Sequence, residues 1–167
     1  MDDPKLLKSQ INTLVKLLAV QERTILEQVD KLDQALQQNR QILESAGEGI
    51  YGLDVDGNTT FVNPAAEQMM GYSAEEMIGK PQHALIHHTR TDGTAYPREE
   101  CHVFAAVNDG KVHQEDGEVF WRKDGTSFPV EYASTPIYEN KKIVGAVVTF
   151  RDISERKESE EKLKIET

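Results

Sequence analysis

From Lys5 to Ala46 the chain holds no glycine and no proline, and its apolar residues fall into two runs: Leu7, Ile11, Leu14 and Leu18, then Ile25, Val29, Leu32, Leu36 and Leu43. Within each run the steps alternate between four and three, or make a full seven, which is the spacing of a coiled-coil seam. Asp3 and Pro4 supply a cap and a proline at the first helical position, and Gly47 supplies a stop. These signals predict one long helix filling residues 1–46. The two runs do not share a register. Counting by sevens from Leu18 lands on Ile25, whereas the second run needs Val29 and Leu36 at that position. The offset is a stutter, which locally unwinds a supercoil. A helix of this length overshoots any core of about a hundred residues. That favours a parallel dimer over an amphipathic helix lying on its own domain.

After Gly47 the period changes. Gly49–Asp54 and Thr59–Val62 are short apolar runs around an Asp56-Gly57 turn, the pattern of a hairpin. Asn63-Pro64 opens a short helix that Gly71 closes, and Ser73 with Glu76 forms a capping box for another. Residues 80–95 read as irregular apart from a helical turn near Gln82 to His87. Tyr96 to Asn108 has helical spacing at Cys101, Phe104, Ala105 and Val107. Three strands are predicted to follow: Lys111 to Arg122, Thr126 to Tyr138 and Lys142 to Arg151. Two strands, small helices and then three strands cannot be a repeated βαβ unit. The order requires an α+β domain, with an antiparallel sheet and its helices gathered on one face.

The net charge of −10 is concentrated in the middle of the chain, where residues 47–150 carry sixteen acidic and eight basic side chains. No basic stripe is available to a phosphate backbone, so a nucleic-acid partner is not expected. Cys101 is the single cysteine, which excludes an intrachain disulfide framework or a cysteine-based zinc cluster. The Met1-Asp2-Asp3 start has no basic, apolar leader, and Ile143 to Phe150 is far too short to span a bilayer. The expectation is a cytoplasmic segment without membrane insertion. No nucleophile–base pair, phosphate-binding glycine loop, cyclase motif or kinase phospho-acceptor histidine is recognisable, so no catalytic residue is assigned. His83, His87, His88 and His113 are scattered, and the adjacent pair His87-His88 points to different sides, so no metal site is assigned either. Cys101 has only Arg98 and His102 near it in sequence, and it reads as an inert helix residue.

Two strings of residues carry a resemblance. The first is Gly49-Ile50, Leu53-Asp54, Asp56-Gly57, Val62-Asn63-Pro64-Ala65-Ala66-Glu67, Gly71-Tyr72 and Glu75-Glu76-Met77-Ile78-Gly79. The second is Trp121 to Gly125, Phe128-Pro129-Val130, Pro136-Ile137 and Gly145 through Asp152-Ile153-Ser154 to Lys157. Together, in this order and at this separation, they resemble the PAS family over about residues 40–165. The resemblance implies a five-stranded sheet in the order 2-1-5-4-3, with helices over one face enclosing a ligand cavity. It also divides the chain into an N-terminal coiled-coil helix (1–46), a PAS sensor domain (47–151) and the start of an output helix (152–167).

The resemblance further implies a sensing and dimerisation module upstream of an effector in the same polypeptide, such as a histidine kinase or a diguanylate cyclase. The homodimer would use the N-terminal helix and the PAS domain. The chain breaks off within the pattern of the last helix, as a fragment of a longer parent would. Matching the family pattern puts Tyr51, Leu53, Val130, Tyr132, Ser134, Ala146, Val148 and Phe150 on the cavity side. Such a lining suits a small organic ligand with one or two hydrogen bonds, and it equally suits a packed, ligand-free relay domain. Flavin photochemistry is disfavoured because Gln82 stands about where photoactive members carry their cysteine. Haem is disfavoured because His102 does not match the axial position of oxygen-sensing members. Asp152, Ile153, Ser154 and Arg156 form the transmission junction, with Asp152 capping the output helix and spaced to pair with Arg156.

Overall fold

The computed structural model describes residues 3–45 and 47–166, which form two compact units, one ending at Ile42 and the other beginning at Leu43. The first is the helix α1, Pro4–Ser45. Asp3 caps it, its Oδ1 accepting from the Lys5 amide at 3.0 Å. At ~1.5 Å per residue its 42 residues extend about 63 Å. No residue of α1 is buried in the single chain. Of its seam, Leu18 and Leu32 are each 63% exposed, and the others are comparably open except Leu43, which is half-buried.

The second unit runs β1 (Gly49–Asp54), β2 (Thr59–Val62), α2 (Pro64–Met70), α3 (Ala74–Met77), α4 (Gln82–Ile86), a 3₁₀ turn (Arg98–Glu100), α5 (His102–Asp109), β3 (His113–Trp121), β4 (Ser127–Glu139), β5 (Lys142–Asp152) and α6 (Ser154–Glu166). The strands form one antiparallel sheet in the order β2-β1-β5-β4-β3, as the family resemblance implies. Asn140 and Lys141 both take positive φ in the β4–β5 turn, which fits a two-residue hairpin whose twist matches its strands. Among the described residues no helix is long and apolar enough to cross a membrane.

Local chemistry explains how the helices are held on the sheet. Asn63 caps α2 through the Ala66 amide at 2.9 Å, and the same Oδ1 accepts from Ile50 of β1 at 2.9 Å. Its Nδ2 donates to the Glu48 carbonyl at 3.1 Å, so one side chain ties the first strand to the first core helix. Ser73 and Glu76 make the reciprocal capping box at α3. The Ser134 hydroxyl of β4 donates to the Val103 carbonyl at 2.8 Å and seats α5 on the sheet. All eight residues expected on the cavity side are buried. Tyr51, Phe120, Phe128, Tyr132 and Phe150 bring their rings together there with centroids 5.3–6.5 Å apart, the range of favourable aromatic contact.

Two expectations about elements need correction. The helix predicted from Tyr96 is broken: Pro97 and Cys101 are extended, and only residues 98–100 and 102–109 are helical. Strand β3 is shorter than predicted and carries a bulge. Glu115 pairs with Tyr132 but Glu118 pairs with Val130, so Asp116 and Gly117 together oppose Glu131 alone.

Candidate functional site

The break before α5 has a chemical result. An extended Cys101 directs its thiol into the core, where it is buried. It meets α4 and the residue that caps its C-terminus, where His83 and His87 stand one turn apart. Their i,i+4 spacing puts both imidazoles on the same side of the helix. His87 Nδ1 lies 3.1 Å from Cys101 Sγ. Its Nε2 lies 2.8 Å from Glu118 Oε2. His83 Nε2 donates to the Tyr96 carbonyl at 2.7 Å.

Glu118 is the hub on the far side. The Tyr132 hydroxyl donates to Oε2 at 2.6 Å, and the Tyr96 hydroxyl donates to Oε1 at 2.8 Å. The bulge is what turns this acid inward. With one extra residue after Glu115, the alternation restarts so that Glu118 and Phe120 lie on the face of their partners Val130 and Phe128.

The cluster shifts the acidity of its members. Burial alone would push the Cys101 thiol up, but His83 and His87 beside the sulfur and the His87 charge bring it down to about 6. Burial would lower the His87 pKa, but the bonds to Cys101 and Glu118 and their charges raise it to about 9. Burial would raise Glu118, but bonds from His87 and Tyr132, the His87 charge and the Tyr96 bond hold it at about 2. Tyr132 and Tyr96 are pushed well above the ordinary phenol range by burial and by Glu118. These shifts favour an imidazolium between a thiolate and a carboxylate. Cys101 is therefore not a helix residue with only Arg98 and His102 for neighbours, and His83 and His87 are not scattered but stand beside it. The partners that acidify the thiol come from α4, 14 and 18 positions upstream.

The interior of the domain leaves little free space beside this cluster. A cavity of about 20 Å³ borders Tyr51, Leu53, Gln82, His83, His87 and Cys101, with room for about one water. Two of the eight predicted lining residues, Tyr51 and Leu53, reach it. The remaining six, Val130, Tyr132, Ser134, Ala146, Val148 and Phe150, are buried in the core without bordering it. Gln82 is buried, its amide oxygen accepting from the Thr59 hydroxyl at 2.5 Å. His102 is on the outer side of α5, 3.5 Å from Glu115.

The junction residues also lie differently from the expectation. Asp152 Oδ1 accepts from the Ser154 amide at 2.9 Å and from its hydroxyl at 2.5 Å. The other carboxylate oxygen is 3.4 Å from Arg122 Nη2, and Arg122 Nε donates to the Met69 carbonyl at 3.0 Å. The expected Asp152–Arg156 pair is not formed. Asp152 is still in β5, so its four-residue spacing to Arg156 is not helical. Arg156 instead reaches Glu131, Asp116 and Glu160 at 3.6, 3.9 and 3.9 Å. Ile153 is buried, and its amide donates to the Pro129 carbonyl at 3.0 Å.

Comparison with known proteins fits this architecture. The PAS fold family model matches residues 37–153, and the chain belongs to the PAS family. It is 26% identical over 159 residues to the signal transduction histidine-protein kinase AtoS of Escherichia coli (strain K12), covering 83% of this chain and 22% of that protein. It is 30% identical over 133 residues to the "Probable diguanylate cyclase DgcE" of the same organism, covering 77% of this chain and 12% of that protein. A crystal structure of the PAS domain of a protein from Colwellia psychrerythraea superposes with a TM-score of 0.57 at 27% identity, covering 72% of this chain and 98% of that one. The chain spans less than a quarter of the length of these curated relatives. It is thus a PAS sensor domain homologous to segments of signal-transduction proteins.

Proposed function

We propose that this chain senses and relays rather than catalyses. In this reading it forms a parallel homodimer through α1, and a state-dependent change in the PAS core passes through α6 to an effector in the same polypeptide. A histidine kinase or a diguanylate cyclase is the effector class the relatives suggest. A cytoplasmic position for this segment belongs to the same reading.

The observation that carries the proposal is the open seam of α1. Burying one aliphatic side chain is worth about 1.5–3 kcal/mol. Half of that, over nine seam residues on each of two helices, matches or exceeds the ~4–15 kcal/mol that association costs in lost freedom. The test is sedimentation equilibrium on the full chain and on Leu18→Glu/Leu32→Glu. A dimer in the parent and a monomer in the variant are expected. Equal association of the two would remove α1 from the interface.

A further inference from the structure

The geometry points to a metal site inside the PAS core: His83, His87 and Cys101 bind one divalent ion of borderline softness, with Zn²⁺ the reference ion. One ligating atom from each of the three residues falls in a group no wider than 4.8 Å. In a tetrahedral zinc site, with metal–nitrogen bonds of about 2.0–2.1 Å and a metal–sulfur bond of about 2.3 Å, ligand atoms stand about 3.3–3.6 Å apart. Side-chain movements of about 1 Å shared among the three reach that spacing.

The hydrogen bond from His83 to the Tyr96 carbonyl already sets the tautomer a metal needs. A carbonyl only accepts, so the proton of His83 is on Nε2, facing Tyr96. Its Nδ1 keeps a lone pair, and that atom is buried without a hydrogen-bond partner. The Nε2 of His87 is set on the Glu118 carboxylate, which leaves Nδ1 toward the Cys101 sulfur. A ligating imidazole whose second nitrogen is held by a carbonyl or a carboxylate is the usual outer shell of a protein metal site. Here the Tyr96 carbonyl holds His83, and the Glu118 carboxylate lies 2.8 Å from the second nitrogen of His87.

Two imidazoles and one thiolate select an ion of the zinc class over magnesium or calcium, which take oxygen ligands. The fourth position would face the cavity of about 20 Å³ beside the three residues, which accommodates about one water. An open groove of about 450 Å³ borders His87, Tyr96 and Glu118 from outside and offers a way in. On binding, the ion displaces to solvent the one proton shared between His87 Nδ1 and the Cys101 sulfur, and no electron is transferred. This site does not depend on the relay reading, since a chain that neither dimerised nor signalled would bind the ion equally.

The test uses the untagged full chain, stripped with a chelator and titrated with Co²⁺. One equivalent per chain is expected, with thiolate-to-cobalt charge transfer in the near ultraviolet and the intense visible bands of a four-coordinate ion. Zn²⁺ should then displace the Co²⁺. Cys101→Ser should abolish the charge-transfer band. His83→Gln, at a half-buried position, should weaken Zn²⁺ at least about tenfold in competition with a chromophoric chelator. Glu118→Gln should weaken it about 10–100-fold, as an outer-shell partner does. Circular dichroism checks each fold. Should the serine variant not fold, the unmutated chain decides the matter: Zn²⁺ should slow Cys101 modification by a disulfide reagent. The site is overturned by absent or non-stoichiometric Co²⁺ and Zn²⁺ binding, by Cu⁺ binding alone, by binding that survives in both Cys101→Ser and His83→Gln, or by a thiol that Zn²⁺ does not protect.

Discussion

Glu118 shows how much one side chain can hold together and how poorly a sequence advertises it. It reaches His87, Tyr96 and Tyr132, from three separate segments. A carboxyl held at about 2 in the fold, against an ordinary 4.5, contributes stability that is fully present above about pH 4.5. That contribution is lost as the pH falls through the folded value. His87, Tyr96 and Tyr132 are the groups that face it, and only His87 carries charge across this range. In metal-free protein, urea midpoints measured from pH 7 down to pH 3 should therefore fall. Glu118→Gln should lower the midpoint at pH 7 by an amount corresponding to about 1–3 kcal/mol. It should also flatten the acid limb, whereas an unchanged acid limb would place the pH dependence elsewhere. Period-two reading could not find this residue because the bulge at Asp116–Gly117 breaks the alternation just before it. The Cys101–His87 contact was hidden for a different reason. It joins residues 14 positions apart across an irregular stretch with no pattern to register them.

At the scale of elements, the signals that act locally were legible. Pro4, Asn63, Ser73 with Glu76 and Gly71 each stop or start a helix where the chain says they should, through side-chain caps or left-handed φ. Elements set by tertiary contact were read less well. The start of α5 moved to His102 because Pro97 and Cys101 stay extended, and Arg156 found Glu131 of β4 in place of Asp152. At the β5–α6 junction the unit to test is therefore Asp152 with Arg122. Asp152→Ala should cost about 0.5–2 kcal/mol as a lost cap. Arg122→Ala should cost a similar amount, since it also donates to Met69. A double-mutant cycle should give a coupling of a few tenths of a kcal/mol, because the pair is partly exposed. With an effector fused after α6, each single variant should bias its output, and Arg156→Ala should do so less. Full additivity together with unaltered output would reduce Asp152 to a helix cap.

The whole molecule joins a helix with no buried residue to a domain whose strand order the sequence signatures implied. If α1 pairs as proposed, folding and association are linked. The melting temperature of the parent should then rise with protein concentration, while that of Leu18→Glu/Leu32→Glu should not. Among the described residues the sheet ends in β3, whose outer backbone groups have no neighbouring strand. A regular strand there would be a template for a second molecule. The same bulge that turns Glu118 inward kinks this border, and Glu115 and Asp116 add charge where another chain would dock. The site and the solubility of the domain thus draw on one irregularity. Asp116→Val/Gly117→Val should leave a folded domain that scatters light progressively on concentration, and unchanged scattering would mean that β3 needs no such guard.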